Sequence, residues 1–151
     1  PDIQRWAGDV DLSKNIEGML WGGNLSILTT LLGTEYFPTE KQVNGGILFI
    51  EDINEHPYRI ERMLLQLHEA GVLGKQRAIL LGHFSQYRLY EVDRGYNLDA
   101  AIDLIRGRIP KSIPILTGLP FGHIKDKLTL PVGAQVNLQA STKGFVLEGK
   151  W

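Results

Sequence analysis

An acid that follows an unbroken apolar run and an imidazole that follows a turn rich in glycine and proline are the two groups here whose surroundings suggest chemistry. Glu51 comes directly after Ile47-Leu48-Phe49-Ile50. Its carboxylate is therefore partly shielded from water and has to be paired, protonated or put to use. His123 ends the stretch Gly118-Leu119-Pro120-Phe121-Gly122-His123, whose backbone freedom can place a ring able to serve as acid or base near neutral pH. A catalytic triad needs a carboxylate bonded to one imidazole nitrogen while the other nitrogen faces a hydroxyl, so Glu51 with His123 supplies two of three members. Each also has a plainer reading: Glu51 as a solvated charge at a strand end, His123 as a structural or exposed loop histidine.

The third member has to be a serine, because the chain has no cysteine and thiol catalysis is excluded. Ser13, Ser26, Ser85, Ser112 and Ser141 are the candidates, and none sits in the Gly-x-Ser-x-Gly turn that exposes a nucleophile. Ser85 comes nearest, two residues after His83, but Gly82-His83-Phe84-Ser85 does not recreate that turn and a capping or turn role suits it better. Metal hydrolysis competes on residue type, since Glu51, Asp52, Glu55, His56, His68, His83 and His123 could supply nitrogen and oxygen ligands. No pair of them has convincing spacing, and His68-Glu69 lacks the second histidine four residues on that a zinc-binding helix needs. No metal site is expected.

The elements that must position these groups read as alternating strands and helices. Ile16 to Trp21 reads as a strand ending at Gly22-Gly23, and Asn24 as the cap of a helix through Leu25, Leu28, Leu31 and Leu32, stopped by Gly33. Ile47 to Ile50 reads as a strand buried on both faces that ends abruptly in charge. Pro57 opens the clearest helix, with Ile60, Met63, Leu64, Leu67 and Ala70 on one face and Gly71 at its end. Arg77 to Phe84 is a second buried strand and predicts a right-handed parallel crossover. Asn97 caps a helix carrying Leu98, Ala101, Ile102 and Ile105, and Ile113 to Leu116 returns as a third buried strand. The tail alternates at Leu128, Leu130, Val132, then Val136, Leu138 and Ala140, with a last strand at Phe145 and Leu147 after the Lys143-Gly144 turn. These tail strands are expected to be antiparallel, giving a mixed sheet with helices on one side. In such α/β sheets ligands bind beyond the carboxyl ends of strands, and those ends carry Glu51, His83 to Ser85, and His123.

Composition narrows the function. At 151 residues, 43% hydrophobic and 22% charged, the chain is one folded domain in size and ordinary for a globular protein. Sixteen basic against seventeen acidic residues leave a net charge of −1 with no basic run, which argues against nucleic acid as a partner. No apolar stretch approaches the roughly 20 residues that cross a bilayer. The opening Pro1 to Asn15 is polar and irregular, and a start at Pro-Asp suggests a piece of a longer protein.

Taken together, Trp21 to Thr34 (WGGNLSILTTLLGT), Gly46 to Leu73 (GILFIEDINEHPYRIERMLLQLHEAGVL), Gly95 to Leu98 (GYNL) and Ile115 to His123 (ILTGLPFGH) resemble the murein tetrapeptide LD-carboxypeptidases. The resemblance runs over nearly the whole chain in the family's order. It implies the C-terminal half of a two-domain serine peptidase: a mixed-sheet, three-layer β/β/α swivelling-type domain over residues 15–151, preceded by an interdomain linker remnant at 1–14. The nucleophile would lie on an N-terminal α/β domain absent from this sequence. It places the triad acid on Glu51, with Glu55 as a competitor, and the triad base on His123. Trp21, Gly22, Gly23 and Asn24 would line the substrate cleft, unless they serve only as a turn and helix cap. His56, Arg59 and Arg62 are read as packing and surface residues. The implied activity is removal of the terminal D-alanine from murein tetrapeptides in peptidoglycan recycling, with no metal or organic cofactor, as a homodimer in the cytoplasm, the periplasm being left open. Two rivals stand beside it: an immunity-type serine hydrolase of peptide-nucleotide antibiotics with the same triad, and a non-catalytic peptide-binding domain.

Overall fold

A computed structural model describes residues 4–141 and 143–149; Pro1 to Ile3, Thr142, Lys150 and Trp151, which the expected linker and domain ranges include, lie outside the described residues. The apolar run at the middle of the sequence becomes the middle of the sheet. Strand β2, Ile47–Ile53, has parallel neighbours on both sides, β1 (Ile16–Asn24) and β3 (Ala78–Ser85), and β3 in turn pairs in parallel with β4 (Ile115–Thr117). The second half of β1 pairs with β2, while its first half runs antiparallel to β5, Gln135–Ser141. A hairpin to β6, Gly144–Gly149, completes the order β4-β3-β2-β1-β5-β6.

Because successive side chains of a strand point to opposite faces, β2 feeds two cores. Leu48 and Ile50 face a layer of helices: α1 (Leu25–Leu31) through Leu25 and Leu28, α3 (Pro57–Glu69) through Ile60, Leu64 and Leu67, and α4 (Leu98–Arg106) through Ile102 and Ile105. Ile47 and Phe49 share a second core with Val136 and Leu138 of β5, with Phe145 and Leu147 of β6 packed against it. The result is the β/β/α layering expected. Ile47 to Ile50 are at most 1% exposed, and full burial of such a side chain contributes about 1.5–3 kcal/mol, so this strand is the most strongly anchored part of the sheet.

The short cap residues act as the sequence predicts. Asn24 accepts from the amide of Ile27 at the start of α1, and Asn97 from Ala100 at the start of α4. Pro57 opens α3 at its first turn, where a missing N–H costs nothing. A four-residue helix, α2 (Glu40–Val43), fills the loop before β2.

Two expectations change, and the opening segment gains a place. Strand β2 does not stop at its apolar run but continues through Glu51 and Asp52 to Ile53, so both carboxylates belong to the sheet. Leu128 to Val132 form no strand: Pro131 has no amide to donate, and the chain meets β1 instead through Gly133 and Ala134, which bond Leu20. The opening segment packs onto the domain, with Trp6 only 6% exposed and bridged to Ile115, and the Leu12 carbonyl accepting from Ala140. Among the described residues no helix is long and apolar enough to cross a membrane.

Candidate active site

Glu51 and His123, 72 positions apart, meet at the carboxyl end of the parallel strands: His123 Nδ1 lies 2.9 Å from Glu51 Oε2. The sheet makes room for this by a local irregularity. The β2–β3 register runs Ile50 with Leu81 and then Asp52 with Phe84, so Gly82 and His83 together face Glu51 as a bulge. A side chain at Gly82 would put its Cβ 2.6 Å from the Phe121 carbonyl oxygen and 3.1 Å from Glu51 Cβ. With no side chain there, the segment Phe121 to His123 lies directly against the bulge, secured by a 2.8 Å bond from the His83 amide to the Phe121 oxygen. Gly122 has φ +130, and a Cβ there would sit 3.1 Å from Glu51 Oε2. Both glycines therefore let the histidine loop reach the acid.

The acid is buried and the base is not. Glu51 is 3% exposed, whereas the His123 side chain is 49% exposed. A buried carboxylate must have its lone pairs satisfied, and the second oxygen of Glu51 accepts from Asn24 Nδ2 at 3.2 Å. The same amide donates to Asp52 Oδ1 at 2.9 Å. Asp52, 2% exposed, also accepts from the Ser26 and Ile53 amides at 2.9 and 2.8 Å. With Nδ1 occupied by the carboxylate, His123 Nε2 has no hydrogen-bond partner among the described residues. An imidazole oriented this way can take a proton through Nε2 while the acid behind it stabilises the positive charge.

Trp21 to Asn24, expected as a turn after the strand, are the last residues of β1 itself, paired with β2, and their roles divide. Trp21, expected to line the cleft, is sent by strand alternation to the helix face with Leu48 and Ile50, where it is 4% exposed. There its Nε1 donates to Gln76 Oε1 at 2.8 Å and its ring meets Phe37 edge-on. Gly22 has φ +136 and no room for a side chain, since a Cβ would fall 1.9 Å from the Phe49 oxygen; at Gly23 that position is open. Only Asn24 touches the acid.

The competing residues are engaged elsewhere. Glu55 pairs with Arg59, one turn along α3. His56 caps α3 by accepting from the Tyr58 amide through Nδ1, and its Nε2 lies 3.1 Å from Asp93. The Tyr90 amide and then the His56 bond hold the Asp93 carboxyl below its ordinary range. Arg62 lies over the Tyr58 ring. Ser85 Oγ is buried without a hydrogen-bond partner and makes none to His123. Among the described residues no group of three or more candidate ligands is placed to hold a metal. The roles of Asp52 and Gly82 were not read from the sequence, although an isolated glycine within AILLGHF is itself a signal of a bulge or a close approach.

Comparison with known proteins gives the family. The family model described as LD-carboxypeptidase C-terminal domain matches residues 17–138, a span that holds both Glu51 and His123. A probable murein peptide carboxypeptidase of Bacillus subtilis (strain 168) is 37% identical over 135 residues, covering 87% of this chain and 40% of the relative. The microcin C7 self-immunity protein MccF of Escherichia coli is 36% identical over 140 residues, covering 88% and 37%. The crystal structure of muramoyltetrapeptide carboxypeptidase from Oxalobacter formigenes superposes with a TM-score of 0.82 at 50% identity, covering 93% of this chain and 47% of that one. The chain thus spans less than half the length of the relatives it matches. A match across most of the chain in both sequence and fold is more than a shared sheet could give, and the chain belongs to the LD-carboxypeptidase C-terminal domain family.

Proposed function

We propose that this chain supplies the acid and the base of a serine-type LD-carboxypeptidase acting on murein tetrapeptides, with Glu51 and His123 as two members of a Ser-His-Glu triad. The observation that supports the reading most is the 2.9 Å pairing of a buried carboxylate with a half-exposed imidazole whose Nε2 is unengaged. The serine and the amides that stabilise the oxyanion come from an N-terminal domain outside this sequence; relatives of which this chain covers only 40% and 47% support that division. His123 Nε2 takes the proton from the serine hydroxyl as its oxygen attacks the carbonyl preceding the terminal D-alanine. The imidazolium then gives the proton to the departing amine, and water activated by the same nitrogen hydrolyses the acyl-enzyme. Glu51 keeps Nδ1 protonated and stabilises the imidazolium. The chemistry calls for no metal or organic cofactor. A homodimer working in cytoplasmic peptidoglycan recycling belongs to the same proposal.

The likeness to MccF favours a second reading, an immunity-type hydrolase of peptide-nucleotide antibiotics. The 50% identity to a muramoyltetrapeptide carboxypeptidase, against 28% to an MccF structure, favours the first. The test is an assay of the protein carrying both this chain and its N-terminal domain, with murein tetrapeptide and with a peptidyl nucleotide. D-Alanine release is expected, falling by roughly 10³-fold or more in Glu51→Gln and His123→Ala. Turnover of the nucleotide alone would move the protein to the second reading, and binding of peptide without turnover of either would make it a binding domain.

A further inference from the structure

We propose that Asn24, held in place by the buried Asp52, is a positioning residue for the Glu51–His123 pair: its amide fixes the acid rather than a substrate. The catalytic consequence rests on the triad reading above; the structural part rests on hydrogen bonds alone. Glu51 and Asp52 are consecutive in β2, so alternation turns them to opposite faces, Glu51 to His123 and Asp52 to the start of α1. Both are nearly inaccessible, at 3% and 2%. Two adjacent carboxylates out of water need donors between them.

Asn24 is in register with Glu51 across the parallel β1–β2 ladder, which brings one NH2 group within reach of both acids, at 3.2 and 2.9 Å. Its Oδ1 accepts from the Ile27 amide at 3.1 Å and the Ser26 hydroxyl at 2.7 Å. Ser26 in turn gives its amide to Asp52 at 2.9 Å, closing a ring of bonds around the asparagine. An amide side chain has two hydrogens and one oxygen to offer, and all are used inside the protein. Nothing remains with which to bind a ligand. What the amide does instead is hold Glu51 Oε1, so that the carboxylate cannot rotate and Oε2 alone faces the imidazole. Supporting partners of this kind orient a reactive group and tune its basicity. Asp52 of β2 lies behind the pair through the shared Asn24 amide, and the backbone of His83 in β3 lies at the bulge opposite Glu51.

The test is an NMR titration of the His123 ring in the 151-residue chain, for the native protein, Asn24→Ser, Asp52→Asn, and Asn24→Ser combined with Glu51→Gln. Serine keeps an oxygen able to cap α1 but cannot donate to both acids. Asn24→Ser removes a donor that disperses the charge of Glu51, and the His123 midpoint rises by on the order of half a pH unit. Asp52→Asn removes an anion behind the pair and lowers the midpoint. The effect of Asn24→Ser disappears in the Glu51→Gln background. An unchanged midpoint in Asn24→Ser, or a shift that survives Glu51→Gln, would overturn the proposal. Should Asn24→Ser fail to fold by circular dichroism, Asp52→Asn decides, and an unchanged midpoint there overturns it. In the longer enzyme Asn24→Ser lowers kcat by roughly 10- to 100-fold with KM little changed; an effect confined to KM would return Asn24 to substrate binding. These midpoints move as stated even if the enzyme releases no D-alanine, so failure of the proposed function and failure of the positioning role are separable.

Discussion

Replacing Gly82 by alanine should pull the acid and the base apart without touching either. Gly82 has no positive φ, so the cost is steric alone: the new Cβ would lie 2.6 Å from the Phe121 carbonyl oxygen. A carbon and a carbonyl oxygen rest no closer than about 3.3 Å, so that carbonyl has to retreat by about 0.7 Å. The retreat stretches the 2.8 Å bond from the His83 amide toward the roughly 3.5 Å at which a hydrogen bond is lost. It also carries His123, two residues on, away from Glu51. Overpacking of this size costs about 1–3 kcal/mol, and at this chain length each kcal/mol lowers Tm by roughly 2–4 °C. A misplacement approaching 1 Å at a reacting group costs on the order of 100-fold in turnover. Thermal unfolding by circular dichroism and D-alanine release by the longer enzyme read the two effects. Gly74→Ala is the control, since nothing lies within 4 Å of the position its side chain would take. A Gly82→Ala protein with native Tm and native turnover would refute the claim that the bulge positions the pair.

Trp21→Phe should destabilise without a specific catalytic defect, because it leaves the buried Gln76 oxygen without its 2.8 Å donor. The expected loss is about 1–3 kcal/mol in urea unfolding, and a loss of turnover at unchanged stability would contradict the buried placement. Asp93 should matter only above the acid range. Its carboxyl is depressed by the Tyr90 amide and His56, so its contribution is complete above the ordinary carboxylate value and is lost as pH falls through the lower native value. The Tm gap between the native protein and Asp93→Asn should therefore narrow from pH 5 downward, and a gap constant over that range would contradict it.

The residues themselves declare the parallel core and its helices. Ile47 to Ile50 form a run that only a doubly covered strand can bury, and Asn24, Pro57 and Asn97 stand where helices begin, each satisfying or sparing an orphan amide. Glu51 and His123 stood out for the same reason, as polar groups at the ends of apolar segments, and the fold brings them within 2.9 Å of each other. What stayed hidden depends on contacts between distant segments. Whether β2 stops at Ile50 or runs on through two carboxylates turns on the donors that Asn24 and Ser26 bring from β1 and α1. Trp21 sits beside two glycines in sequence, yet one step of strand alternation takes it to the other face. Alternation at Leu128 to Val132 suggested a strand, but Pro131 and the nearby Gly133 direct the chain into a turn instead.

The proposed chemistry requires His123 to carry its proton on Nδ1, toward Glu51, with Nε2 left bare to accept one from a hydroxyl. Nitrogen-15 NMR of the histidine ring in the 151-residue chain, taken above its titration midpoint, reads this directly. The expected result is a protonated Nδ1 and a bare Nε2 in the native protein, with the populations shifting toward Nε2–H in Glu51→Gln. A native ring protonated on Nε2, and indifferent to that substitution, would contradict it.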